Sequence, residues 1–120
     1  METWIKGGLI FVESDVIRWT ESVFQNPPSQ RRKKKAVYVG KREVIAEVLA
    51  SADARGFMKL RVQTCKAVST REGFSVIGLK KNDELNRKQT TLCKGGLQRL
   101  KWRDEATRLL MESKFLIPDK

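Results

Sequence analysis

The period of apolar and polar positions changes several times along this chain, and each change marks an element. Leu9-Ile10-Phe11-Val12 is an unbroken apolar run after Gly7-Gly8, short enough for a buried strand. Glu13-Ser14-Asp15 reads as a turn. Val16–Phe24 then alternates, with Ile17, Trp19 and Val23 on one face of a second strand. Val37-Tyr38-Val39 resumes strand chemistry, and Gly40-Lys41 offers a tight turn. Residues 42–55 satisfy two templates. Val44, Ile45, Val48, Leu49 and Ala52 fall at helical spacing, whereas Val44, Ala46, Val48 and Ala50 also alternate against Ile45, Glu47 and Leu49. The strand reading is preferred because the segment is rich in β-branched residues and the next one alternates cleanly. There Met58, Leu60 and Val62 point one way and Lys59, Arg61 and Gln63 the other. Gly56 between them either caps a helix or closes a hairpin.

Phe74–Leu79 is a further apolar run after the turn-like Thr70-Arg71-Glu72-Gly73. Leu85–Cys93 is β-prone only at its end, and Lys94-Gly95-Gly96 reads as a hairpin turn into Leu97–Trp102. A helix is predicted over about 103–116. Asp104 and Glu105 suit its first turn, Lys114 its last, and Pro118 ends it. Ala106, Leu109, Leu110 and Ser113 share one side of that helix, with Met111 and Phe115 beside it. The sum is six or seven strands and a terminal helix. The expected fold class is mainly β (or α+β): a small antiparallel, partly closed β-barrel-like sheet with a C-terminal α-helix, in one domain over 1–120.

The hydrophobic share of 40% is enough to build a core without a metal or a disulfide. Cys65 and Cys93 stand far apart with no CxxC spacing, as expected of reduced, buried thiols. No apolar run approaches the roughly 18 residues of a membrane span, and Met1–Lys6 does not read as a secretory signal. A cytoplasmic location and no membrane span are therefore expected.

Charge narrows the function. The chain has 25 Lys and Arg against 14 Asp and Glu, a formal net charge of +11. Such a balance attracts polyanions and speeds their encounter, nucleic acid first among them. Catalysis has little to work with. With no His, the commonest general base and zinc ligand are missing. No HExxH, GxSxG, GxGxxG or phosphate loop ending in GK[ST] occurs. A carboxylate-metal nuclease would look first to Asp83-Glu84 and Asp104-Glu105, but a turn and a helix N-terminus explain those pairs better. No cofactor, no metal site and no catalytic residue are expected.

The candidate nucleic-acid-binding residues form two clusters and an extension. The first is Arg31, Arg32, Lys33, Lys34 and Lys35, which follow Asn26-Pro27-Pro28 in a stretch (about 25–35) expected to be a mobile basic loop. It reads as a solvated loop, a nuclear import signal, or an arm tracking a phosphate backbone. The second, in a predicted hairpin, comprises Lys80, Lys81, Arg87, Lys88, Lys94, Arg99 and Lys101 among Asn, Gln and Thr side chains. Around Arg87–Thr91 both strand faces are polar, as on an exposed edge or a binding surface. Lys59 and Arg61 extend the path along a cationic strand face. Tyr38, flanked by Val37 and Val39 and just after the basic run, is the best candidate for stacking on a base. Trp19 reads as core, and Trp102 as either a platform or a staple for the terminal helix. The expected function is non-enzymatic binding of DNA or RNA through phosphate contacts. An acidic protein partner is the alternative, and a His-independent nuclease comes third.

Overall fold

The computed structural model describes residues 2–6, 10–25 and 36–116. Six strands form one antiparallel sheet: β1 (Trp4–Lys6), β2 (Val16–Gln25), β3 (Val37–Ala50), β4 (Phe57–Thr70), β5 (Glu84–Lys88) and β6 (Gln98–Leu100). Their order is β1-β6-β2-β3-β4-β5. A short helix, α1 (Gln89–Cys93), separates β5 from β6, and α2 (Glu105–Leu116) ends the described chain. The mainly β sheet with a C-terminal helix is as expected. The basic run Arg31–Lys35 lies outside the described residues. No helix among the described residues is long and apolar enough to cross a membrane.

The alternating segments fold as alternation dictates. β3 pairs with β2 on one side and β4 on the other, so both templates over 42–55 resolve to strand as far as Ala50. Val44, Ala46 and Val48 face inward, as do Met58, Leu60 and Val62 of β4, and all six are fully buried. Ile17 and Trp19 of β2 join them. Beyond Ala50 the chain turns: the Asp53 carboxylate accepts the Arg55 and Phe57 amides at 2.9 and 3.0 Å, and Gly56 closes the hairpin. Helix propensity in the alanines loses because only a strand lets this segment bury one face between two neighbours.

Four expectations are corrected. Ile10–Val12 is not a strand. It is a plug that buries Phe11 and Val12 and ends in a turn, Asp15 N–H donating to the Val12 carbonyl; the first strand is Trp4–Lys6 instead. Gly40 makes no turn, because β3 runs through it. The glycine sits at φ +150° against β4, where a Cβ would overlap the Ser69 carbonyl oxygen. Leu85–Cys93 is strand at its start and helix at its end, the reverse of the local propensity. Leu85 pairs opposite Leu60, while the turn of helix places Leu92 in the core. Nor is Lys94–Gly96 a hairpin turn. β5 lies at one end of the strand order, while β6 pairs with β1 and β2 at the other.

That last connection gives the sheet its curl. Gln89 N–H bonds the Gly56 carbonyl beside β4, and Thr20 N–H of β2 bonds the Gly95 carbonyl at 3.0 Å. α1 therefore spans the gap between β5 and β2 without a β ladder, so the sheet is curled but not closed. Gly95 is required at the junction, because a Cβ there would overlap the Thr20 carbonyl oxygen.

α2 attaches by charge rather than by its leucines. The side bearing Leu109 and Leu110 faces outward, at 64% and 69% exposure, while Arg108 is buried at 4%. Its guanidinium donates to both oxygens of Asp15 (2.8 and 2.7 Å), to the Ile10 carbonyl and to Glu112. Asp15, fully buried, also accepts Val12 N–H and Trp102 Nε1–H at 2.9 and 2.7 Å. Breaking a buried pair leaves one charge uncompensated, at a cost of about 3–5 kcal/mol. Asp15→Ala should therefore lower unfolding free energy by about that much in a denaturant titration. The double variant Asp15→Leu with Arg108→Met should cost clearly less than the two single changes together, since it removes both charges.

Candidate nucleic-acid interface

Two inward positions on the long hairpin are charged rather than apolar. Glu21 follows Trp19 in the alternation of β2, and Arg42 stands opposite it on β3. Arg42 holds the Glu21 carboxylate with Nε and Nη2 at 2.9 and 2.6 Å and gives Nη1 to the Ile77 carbonyl at 2.7 Å. Ile77 belongs to the Phe74–Leu79 run, which pairs with no strand and is pinned here by one guanidinium. Trp19 Nε1–H donates to the other Glu21 oxygen at 2.8 Å. Arg87 approaches that same oxygen from β5, at 3.7 Å. Burial opposes the Glu21 charge, but the hydrogen bonds from Trp19 and Arg42 and the charge of Arg87 together hold its carboxyl below the ordinary 4.5.

These groups line an open cleft of about 470 Å³ with Thr20, Ser22, Thr91, Lys94 and Gly95. Three cations and one carboxylate thus share one concavity, with a net charge of +2 from Arg42, Arg87, Lys94 and Glu21. Arg42 is saturated by Glu21 and Ile77, whereas the Arg87 Nη groups and the Lys94 ammonium have no hydrogen-bond partner among the described residues. A site of this composition offers N–H donors to an anion.

The structure brings together only two of the sequence-predicted cations, Arg87 and Lys94. Lys80 and Lys81 are exposed in the turn into β5, where Asp83 accepts the Lys80 amide at 3.0 Å. Lys88 is exposed on the outer side of β5, and Lys101 is exposed beside Trp102. Lys59 and Arg61 do point outward, but their face is mixed in charge. Lys59 pairs with Glu84 at 3.5 Å, and Arg61 stands between Glu47 and Glu84 in the register. Arg99 is buried and binds Glu105 through two parallel hydrogen bonds of 2.9 and 2.8 Å, so its donors hold α2 to the sheet. Arg42 went unselected in the sequence. Its signal is a pair of opposite charges at inward positions of adjacent strands, visible only once the register is known.

The aromatics also divide. Trp19 is core. Trp102 is a staple: its indole N–H reaches Asp15 and its amide reaches Glu105. Arg18 lies 4.3 Å above the Trp4 ring. Tyr38 is exposed and meets Phe24, its register partner, edge to face at 5.8 Å. Both adjacent carboxylate pairs are engaged. Asp83 caps its turn, Glu84 pairs with Lys59, Asp104 accepts the Ala106 and Thr107 amides at the start of α2, and Glu105 holds Arg99. No group of three Cys, Asp or Glu positioned to hold a metal occurs among the described residues. The chain matches no protein-family model, and no curated protein and no solved structure matches it.

The Arg99 hydrogen bonds, against the opposing effect of burial and helped by the Trp102 amide, bring the Glu105 carboxyl down to about 2 from 4.5. A depressed carboxylate stabilises the fold above its unfolded value and loses that contribution as pH falls through the folded one. Glu105→Gln should therefore melt below the wild type at neutral pH, and the gap should close between pH 4.5 and about 2. Paired thermal scans across that window measure it.

Proposed function

We propose that this chain is a non-enzymatic nucleic-acid-binding protein whose phosphate contacts centre on the cleft between β2, β5 and α1. The observation that carries the reading is the segregation of charge. Cations on the outer sheet face stand beside Glu43, Glu47 and Glu84, whereas the cleft gathers Arg42, Arg87 and Lys94 around a single carboxylate. A phosphate entering there meets the outer ends of Arg87 and Lys94, while Arg42 and Glu21 fix the wall behind them. Arg31–Lys35 stands in the sequence between Gln25 of β2 and Val37 of β3 and brings five more cations to the chain. Contacts of this type neutralise phosphates and release counterions, which gives affinity with little sequence preference.

Salt titration tests this directly. Log affinity for a labelled oligonucleotide should fall linearly with log salt, by about 0.7 per phosphate contact on a single strand and about 0.9 on a duplex. Arg87→Ser with Lys94→Ser should make the slope shallower by about two contacts. Lys59→Ser with Arg61→Ser should leave it unchanged. Serines at 31–35 should weaken binding to all sequences alike without moving the unfolding midpoint. A flat salt dependence, or a slope indifferent to Arg87 and Lys94, would remove the proposal.

A further inference from the structure

We infer that the nucleic acid held here is single-stranded, with unpaired bases stacked on Phe24 and Tyr38. This rests on the phosphate-binding reading above and adds which form of nucleic acid fits. Exposed apolar side chains are ordinary when single, but here two aromatic rings are paired on a cationic protein. Phe24 is 59% exposed and Tyr38 36%, and their planes meet at 66°, so the two rings are not stacked face to face on each other. The pairing is built by a β-bulge. Val23 stands opposite Gly40 and Phe24 opposite Tyr38, so the extra residue Val39 drops into the core, fully buried. Without that bulge Phe24 would face Val39, and Tyr38 would face Gln25 instead of a ring.

The platform lies on the outer face of β2, at the loop end of the hairpin. There exposed Lys41 stands opposite Ser22, and Phe24 is two residues further along the same strand, on that same side by alternation and about 7 Å away. That is of the order of one nucleotide step in an extended strand. On the other flank Arg71 donates to the Tyr38 carbonyl at 3.4 Å and places its guanidinium 5.3 Å from the Phe74 ring. Cations therefore lie on both sides of the rings. Such a row suits a strand whose backbone follows the charges and whose bases turn onto the aromatics. A duplex keeps its base faces stacked inside and can use only the charges.

Anisotropy titrations with labelled oligothymidine, oligouridine and a duplex of equal length test the inference, at one salt concentration. Either single strand should bind more tightly than the duplex. Phe24→Ala and Tyr38→Ala should each weaken single-strand binding between about five- and a hundredfold and leave duplex binding unchanged. Tyr38→Phe, which keeps the ring, should bind as the wild type does. Thermal midpoints of the variants guard against misfolding, and Tyr38→Ser serves as a second truncation at that position. If the duplex binds as tightly as the single strands and the truncations change nothing, contact is through phosphates alone: this inference falls and the proposed function stands. If none of the three ligands binds with a salt-dependent affinity, the proposed function falls and this inference with it.

Discussion

Asp15 is a carboxylate with no access to water, and four separate pieces of the chain converge on it. Its side chain bonds the Val12 amide, the Trp102 indole and the Arg108 guanidinium, while its carbonyl accepts the Val48 amide of β3 at 2.7 Å. The plug before β2, the end of β3, the segment after β6 and the terminal helix are thereby referred to one residue. A buried ionised group is tolerable only when it is paired and its lone pairs are filled. Here both oxygens are filled, and Arg108 in turn is satisfied by Ile10 and Glu112. The hydrogen bonds Arg108 donates to Asp15, outweighing desolvation, raise the Arg108 pKa and keep the guanidinium charged. The geometry of α2 follows: it presents an arginine to the protein and leucines to solvent.

The same economy of charge organises the sheet. Where cations and carboxylates alternate on the outer face, they neutralise one another in pairs such as Lys59–Glu84 and Lys66–Glu43. Such exposed pairs contribute little stability, but they remove those cations from the net field. Where the curl brings β5 toward β2, the ratio changes, and one glutamate serves two arginines. The net charge of the chain is therefore not spread evenly over its surface. The cleft is the place where several cations and a concave shape coincide.

Alternation located β2 and the inner face of β4, because a strand with one wet face leaves a period of two; over β3 the same letters also fit a helical spacing, and β-branched content and the clean alternation that follows favoured the strand. The terminal helix was legible from Asp104, Glu105 and Pro118, and the chemistry-poor, cation-rich character from composition. Short elements were not legible. Three residues such as Trp4–Lys6 carry no period, and their strand character comes from the β6 ladder. Gln89–Cys93 is helical because one turn delivers Leu92 to the core and lets Gly95 meet Thr20.

What the sequence by itself determined is which residues prefer to be buried and how much positive charge must lie on the surface. What only the tertiary structure decided is which charges remain available. Arg87, Arg99 and Arg108 carry the same charge, yet Arg108 and Arg99 are sequestered by Asp15 and Glu105 while Arg87 opens onto a cleft. The physical reason is that an ion pair depends on distance in space, and residues as far apart in the chain as Asp15 and Arg108 meet only after the sheet has curled. Phe24 and Tyr38 obey the same logic: each is an ordinary strand residue until a bulged register makes them partners.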